Sequence, residues 1–205
     1  MEMRETVFIV DDDSSICEGL CNLFESVGIN AECYSSAEAF LENWSQDKAG
    51  CLVLDVRLPG MTGLEFQDRM VQTGIDLPTI FMTAHGDIPM VRKVMKAGAV
   101  EFLTKPFAQE ELLDAVKQAF AMDAAHRREQ ALFNSIRERV DSLTQREREV
   151  MALVTAGRLN KQIAAELKLS EITVKLHRRH VMEKMQVDSL AELVKLDALL
   201  ARHSE

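Results

Sequence analysis

Thr6-Val7-Phe8-Ile9-Val10-Asp11-Asp12-Asp13 begins as a short β-branched, apolar run and ends in three consecutive acids. Such side chains fit a pleated, half-buried surface, so residues 6–10 read as a strand and the acids as the loop at its carboxyl end. Residues 14–27 then set Ile16, Leu20, Leu23 and Phe24 on one helical face, with Gly28 just past the end. The alternation repeats. A strand at 31–34 precedes a short helix capped by Ser36 and carrying Ala39, Phe40 and Leu41. The continuous run Cys51-Leu52-Val53-Leu54 marks a strand covered on both sides. A helix at 62–73, a strand at 77–83, a helix at 89–97 stopped by Gly98, a strand at 100–103 and a helix from 109 complete the series. Five βα units predict an α/β doubly wound, five-stranded parallel sheet, whose ligands sit beyond the carboxyl ends of the strands.

The remaining chain changes character. The 205 residues suit one large or two small domains, and a 47% hydrophobic share with mixed charge excludes bulk disorder. Residues 1–122 carry a net charge of −11, whereas 123–139 and 140–205 each carry +1. An acidic front and a near-neutral back with clustered bases point to different partners for each half. Beyond residue 122 only helical segments occur. Thr144-Gln-Arg-Glu147 has the form of a capping box, Asn160 is placed to cap the next helix, and Ser170 a third. Residues 123–143 lack Pro and Gly and put Leu132, Ile136, Val140 and Leu143 on one stripe, so the connection reads as helical. The expected domains are therefore 1–122, a helical linker 123–141, and 142–205.

No apolar run approaches the ~18–20 residues of a membrane helix. The start, Met1-Glu2-Met3-Arg4-Glu5, does not read as a signal peptide, and a cytoplasmic protein without membrane contact is expected. Cys17, Cys21, Cys33 and Cys51 lack metal-ligand spacing and read as reduced, mostly buried thiols, although Cys17 and Cys21 lie four apart on one helix.

Chemistry-bearing residues converge on one edge of the expected sheet. Asp11 and Asp12 end the first strand, Asp55 the third, Thr83 the fourth, and Lys105, followed by Pro106, the fifth. Carboxylates a few ångströms apart repel by roughly 4 kcal/mol per pair at an effective dielectric of ~20, so the cluster needs a cation. Mg²⁺ suits it, because it takes one or two carboxylates and completes its shell with water and phosphate oxygens. An aspartate beside such an ion can act as a nucleophile toward a phosphoryl group. A lysine and a hydroxyl at neighbouring strand ends would stabilise the three phosphoryl oxygens.

The stretches Val-Asp11-Asp12, Leu-Asp55-Val-Arg-Leu-Pro-Gly-Met-Thr-Gly, Thr83-Ala and Lys105-Pro106-Phe make residues 6–122 resemble the response-regulator receiver domain, a flavodoxin-like fold. The resemblance implies that Asp55 accepts a phosphoryl group from a sensor histidine kinase. It implies that Asp12, Asp55 and the Arg57 backbone carbonyl bind Mg²⁺, with Asp11 assisting through water. Thr83 and Lys105 would contact the phosphoryl oxygens, and the Lys105–Pro106 bond would be cis. Phe102 stands where the family's switch aromatic stands and, having no hydroxyl, would be held by packing alone, while Thr83 would share the switch. Arg57 and His85 flank the approach of the hydrolytic water and are expected to set the phosphoaspartate lifetime. Apart from this self-catalysed transfer and autodephosphorylation, no enzyme activity is expected. Haloacid-dehalogenase-like phosphatases offer a rival match through Asp11-Asp12-Asp13, Thr83 and Lys105, but that reading leaves Asp55 without a role.

In the back half, residues 160–185 read as two helices joined by a turn at Lys168-Leu169-Ser170. The second puts Val174, His177, Val181 and Met185 inward, and Lys175, Leu176 and Arg179 on the opposite face. A basic face near a helix start on a helix-turn-helix fits a major-groove reader. Arg and Lys there can bond guanine O6 and N7, and Leu176 can touch a thymine methyl. Leu-Thr144-x-Arg-Glu147-x-Glu149-Val, Asn160-Lys161-Gln-Ile-Ala and Ser170-x-x-Thr173-Val-Lys175-x-His177 resemble the LuxR-type helix-turn-helix over 142–200. The whole chain resembles the FixJ–NarL group of transcription factors. Carried over, Lys175, Leu176 and Arg179 would face bases, with Lys161, Thr173, Arg178 and Lys184 near phosphates.

A last helix over about 189–201 starts an apolar stripe at Leu190, Leu193 and Val194, which Asp197 interrupts. In the family this helix can pair two output domains. An output domain of net +1 gains little from counterion release alone, so phosphorylation is expected to favour a homodimer or free the output domain, strengthening promoter binding. Double-stranded promoter DNA, the kinase and RNA polymerase are the expected partners, with activation the expected effect. A phospho-regulated adaptor whose helical half binds protein is the alternative.

Overall fold

Side chains that alternate in and out along a strand decide how this sheet is covered. The computed structural model describes residues 4–84 and 88–202. Its first unit contains β1 (Glu5–Val10), α1 (Ser14–Ser26), β2 (Asn30–Tyr34), α2 (Ala37–Asn43) and β3 (Ala49–Asp55). It continues through the two-residue strands β4 (Arg57–Leu58) and β5 (Met61–Thr62), then α3 (Gly63–Gln72), β6 (Thr79–Thr83), α4 (Ile88–Lys96) and β7 (Glu101–Thr104). The strands β2-β1-β3-β6-β7 form a parallel sheet in that order. Val7, Ile9, Cys51, Val53, Ile80 and Met82 project to one face and pack against Leu20 and Phe24 of α1. Phe8, Val10, Leu52, Leu54 and Phe81 project to the other, onto Phe40, Phe66, Met70 and Val94. Burying one such side chain contributes roughly 1.5–3 kcal/mol, so the two layers hold the sheet from both sides.

The chain leaves β1 toward β2 on one side and, after β3, builds β6 and β7 on the other. The strand order thus reverses between β1 and β3, and the crevice at their carboxyl ends is the topological switch point. The predicted five-stranded sheet is present. The antiparallel pair β4–β5 just after Asp55 was not foreseen, because two-residue strands carry no periodicity. Behind it Thr62 and Glu65 form a capping box that starts α3. Gly63 is required there, since a Cβ would come within 2.7 Å of the Asp55 carbonyl oxygen.

Helix α5 spans Gln109–Asp141 without a break, as the absence of Pro and Gly predicted. Its Leu112, Val116 and Ala119 belong to the sheet's core, whereas Ile136 is buried in a separate helical core. The two compact units divide between Arg127 and Arg128, so the expected linker 123–141 is shared out between them. Asp123, read from sequence as linker, is buried in the first unit and accepts the Gly50 N–H at 3.0 Å. Gly50 has φ +143 and no room for a Cβ, which would meet the Thr6 carbonyl. Leu132 is exposed, unlike the other three residues of its expected stripe.

The second unit adds α6 (Gln145–Thr155), α7 (Asn160–Leu167), α8 (Glu171–Met185) and α9 (Leu190–Arg202). Thr144 and Glu147 cap α6 reciprocally, and Ser170 caps α8 through the Thr173 N–H. The expected cap of α7 is corrected. Leu159 occupies the cap position, the Gln162 side chain accepts its N–H, and Asn160 is the first helical residue. Asn160 Oδ1 instead accepts from Arg178 at 2.7 Å. On α9 only Leu193 is fully inward, with Leu196 and Leu200 beside it, while Leu190 and Val194 face solvent. No helix among the described residues is long and apolar enough to cross a membrane.

Candidate functional site

Four of the five strands of the central sheet, β1, β3, β6 and β7, each deliver a chemical group to the switch-point crevice. Asp11 follows β1 and is almost fully buried, Asp55 is the last residue of β3, and Thr83 the last of β6. Lys105 directly follows β7, and its peptide bond to Pro106 is cis. The Lys105 Nζ lies 2.6 Å from Asp11 Oδ2 and 2.8 Å from Asp55 Oδ1, bridging the two carboxylates. Burial alone would make this ammonium more acidic, but its bonds to Asp11 and Asp55 hold it above the ordinary lysine value. The second Asp55 oxygen accepts the Arg57 N–H at 2.8 Å. The antiparallel pairing of Arg57 with Thr62 fixes that backbone.

The three acids after β1 have divided their work. Asp11 is inside, Asp12 is exposed toward solvent, and Asp13 caps α1 by accepting the Ser15 N–H. Among the described residues no three carboxylate, imidazole or thiol groups converge to wrap a metal ion by themselves. The donors offered here are hard oxygens on one or two carboxylates beside open solvent, which fits Mg²⁺ completed by water and backbone or phosphoryl oxygen. Thr83 is buried and its backbone oxygen accepts the Lys105 N–H at 2.7 Å. Phe102 is half-buried against the second core layer, beside Phe81 in the β6–β7 register. His85, paired with Arg57 in the sequence reading, lies outside the described residues.

A second surface lies on α8. Lys175, Leu176 and Arg179 are exposed together, as expected, and Lys161 is exposed on α7. Arg179 forms a 2.7 Å pair with Glu183 one turn on, which at a solvent-exposed site is weak. Thr173 shares a hydroxyl hydrogen bond with Ser170. Two of the residues expected near phosphates also bond within the unit. Arg178 is half-buried and bonded to Asn160, and Lys184 is 2.6 Å from Glu147 and also donates to the Ser142 carbonyl. Arg178 joins α8 to α7 through a neutral amide, and Lys184 joins it to α6 through a carboxylate.

Sequence reasoning saw Glu147 only as half of a capping box and missed the cluster it centres. Glu147 is 4% exposed, pairs with Lys184 and lies 3.5 Å from His180 Nδ1. The Lys184 bond, followed by the Thr144 N–H, outweighs burial and pulls its carboxyl down to about 2. The Glu147-to-Lys184 separation in sequence hides the pair; only the packing of α6 on α8 reveals it. The expectation of mostly buried thiols holds for Cys17 and Cys51, whose thiols burial pushes upward, whereas Cys21 is half-buried and Cys33 exposed.

Residues 7–117 match the family model for the response regulator receiver domain, and 141–196 that of the bacterial regulatory proteins of the luxR family. The chain is 48% identical to Nodulation protein W of Bradyrhizobium diazoefficiens, covering 98% of this chain and 90% of that protein. This chain is a response regulator. The response regulator is also 38% identical to the transcriptional regulatory protein FixJ of B. diazoefficiens, with 96% of each covered. The solved structure of the response regulator StyR aligns with a TM-score of 0.85 at 47% identity, covering 95% of this chain and 98% of that one. A receiver joined to a LuxR-type helix-turn-helix is the composition of a two-component transcription regulator, with a histidine kinase as partner on one side and DNA on the other. The family is one of transcription regulators, not of typical enzymes.

Proposed function

We propose that this response regulator is switched by phosphorylation of Asp55 and then binds promoter DNA through α8. The observation that supports it is the Lys105 ammonium, held within 2.8 Å of Asp55 and 2.6 Å of the buried Asp11 at the switch point. In the transfer, an Asp55 carboxylate oxygen bonds to phosphorus as the phosphorus–nitrogen bond of the kinase phosphohistidine breaks, and the histidine leaves. Asp12, Asp55 and the Arg57 carbonyl would hold Mg²⁺, with Asp11 acting through water. The ion, when bound, supplies positive charge against which the phosphoryl oxygens and Asp55 can approach. Lys105 moves from the carboxylates to a phosphoryl oxygen, and the Thr83 hydroxyl takes another. Drawing Thr83 inward opens space beside Phe102, which packing alone restrains. Arg57 and His85 bound the path of the hydrolytic water, so they set how long the phosphoryl group stays. An unchanged autodephosphorylation rate in an Arg57→Ala, His85→Ala double variant would refute that last role.

The output side of the proposal rests on the exposed stripe of α8. Lys175, Leu176 and Arg179 read bases, while Lys161 and Thr173 touch backbone. Arg178 and Lys184 act indirectly, by fixing α8 against α7 and α6. We place the receiver at 1–122, a helical connection at 123–141 and the output domain at 142–205. The receiver's −11 charge opposes DNA and the output domain's +1 adds little attraction, so paired half-sites strengthen binding most. Phosphorylation therefore favours a homodimer, which binds the promoter and meets RNA polymerase to activate transcription in the cytoplasm. Moving such a switch from ~1% to ~99% active takes ~5.5 kcal/mol of preference for the active form. The test is operator affinity at fixed salt for phosphorylated and unphosphorylated protein. Tighter binding by the first supports the reading, and equal binding defeats it.

A further inference from the structure

One side chain on the DNA-facing helix has no structural use. Ile172 is 81% exposed, the highest exposure among the large hydrophobic residues described, and it lies outside the helical core of its unit. A β-branched residue there adds nothing to helix propensity that Ala, Glu or Lys would not exceed. Single exposed apolar residues are common, but Ile172 is not placed singly. Residues at i, i+3, i+4 and i+7 share one helical face, and Ile172, Lys175, Leu176 and Arg179 have that spacing. All four are exposed, and Leu176 is itself 50% exposed. The stripe therefore alternates two apolar side chains with two cations at the amino-terminal half of α8.

We propose that Ile172 is a second apolar reader on this face, and that Ile172 and Leu176 each seat the methyl group of a thymine. The proposal rests on the reading of α8 as a major-groove helix. The cations flanking the two apolar residues make duplex DNA the occupant, since the major groove presents a 5-methyl group only at thymine beside acceptors suited to Lys and Arg. Four residues of helix rise about 6 Å and one base-pair step about 3.4 Å, so the half-site carries two thymines about two base pairs apart.

The test begins with the full-length phosphorylated protein and a randomised duplex pool, from which a preferred operator is selected at fixed salt. Each thymine of that operator is then replaced singly by deoxyuridine, which removes only the methyl group. Wild type is expected to lose about fourfold in affinity at two thymines per half-site, the worth of one buried methyl. In Ile172→Ala the operator binds more weakly and one of those two sensitivities vanishes, while Ile172→Val keeps it; Leu176→Ala abolishes the other. Exposure of Ile172 leaves the fold intact in these variants, which circular dichroism checks. Uracil sensitivity identical in wild type and Ile172→Ala overturns the proposal, as does insensitivity of wild type at every thymine. Failure to enrich any duplex is a different result: it removes the DNA reading of α8 itself.

Discussion

The Lys105 ammonium lies 2.8 Å from Asp55, across a gap of fifty residues in sequence, because parallel β3 and β7 end on the same edge of the sheet. The same ammonium also neutralises the buried Asp11. Replacing it should leave two acids facing one another. Lys105→Ala is expected to destabilise the first unit by on the order of 2 kcal/mol in the absence of divalent ions, with Mg²⁺ restoring part of the loss. Trp44, the single tryptophan, reports this unit by fluorescence. Unchanged melting with and without Mg²⁺ would count against the bridging role.

Acid should loosen the second unit through Glu147. Its folded carboxyl is depressed to about 2 by Lys184 and the Thr144 N–H, below the ordinary glutamate value of about 4.3. A depressed acid contributes stability that is complete above its unfolded value and lost as pH falls from about 4.5 toward 2. Glu147→Gln should cost about 2 kcal/mol at pH 7 and remove most of the acid sensitivity. The readout is the helical circular-dichroism transition that Trp44 fluorescence does not share. An equally acid-sensitive variant would show that Glu147 is not the group responsible.

Asp123 behaves oppositely. Burial pushes its carboxyl upward, against the Gly50 N–H and the charge of Arg127. A raised acid favours the fold as it becomes protonated, so its useful feature near neutrality is the acceptor oxygen and not the charge. Asp123→Asn keeps an acceptor for Gly50 and should cost little, whereas Asp123→Ala orphans a buried N–H and should cost about 1–3 kcal/mol. Equal losses in denaturant titrations of the two variants would contradict this.

Lys175→Ala and Arg179→Ala should each weaken operator binding by about 1–3 kcal/mol and relax preference at one base pair. Glu183→Ala frees Arg179 and removes a nearby negative charge, so it should tighten binding a few-fold at low salt, less at high salt. Lys184→Ala should instead lower stability, since its partner Glu147 is buried. Salt-dependent binding titrations beside melting curves separate the two classes.

The sheet was legible because its inner strands β1, β3 and β6 carry apolar runs bounded by Gly, Pro and Asp, and the site because sheet topology sends every strand end to one edge. Helix α5 was legible from the absence of breakers between residues 123 and 141. What stayed hidden depends on packing between distant segments. Nothing in the sequence links Asp123 to Gly50, or Lys184 to Glu147, and the charges of Arg178 and Lys184 looked free until α7 and α6 were set against α8. The β4–β5 pair and the Leu159 cap of α7 escaped for another reason: each is too short to carry a pattern.

The most direct measurement is the intact mass of wild type and Asp55→Asn after incubation with Mg²⁺ and a small phosphodonor, and then with a phosphorylated histidine kinase. Wild type should gain one phosphoryl group, labile to base, and Asp55→Asn none. A wild type that gains nothing even from the kinase, or an Asp55→Asn variant that gains the group equally well, would contradict the assignment of Asp55 as the phosphoacceptor.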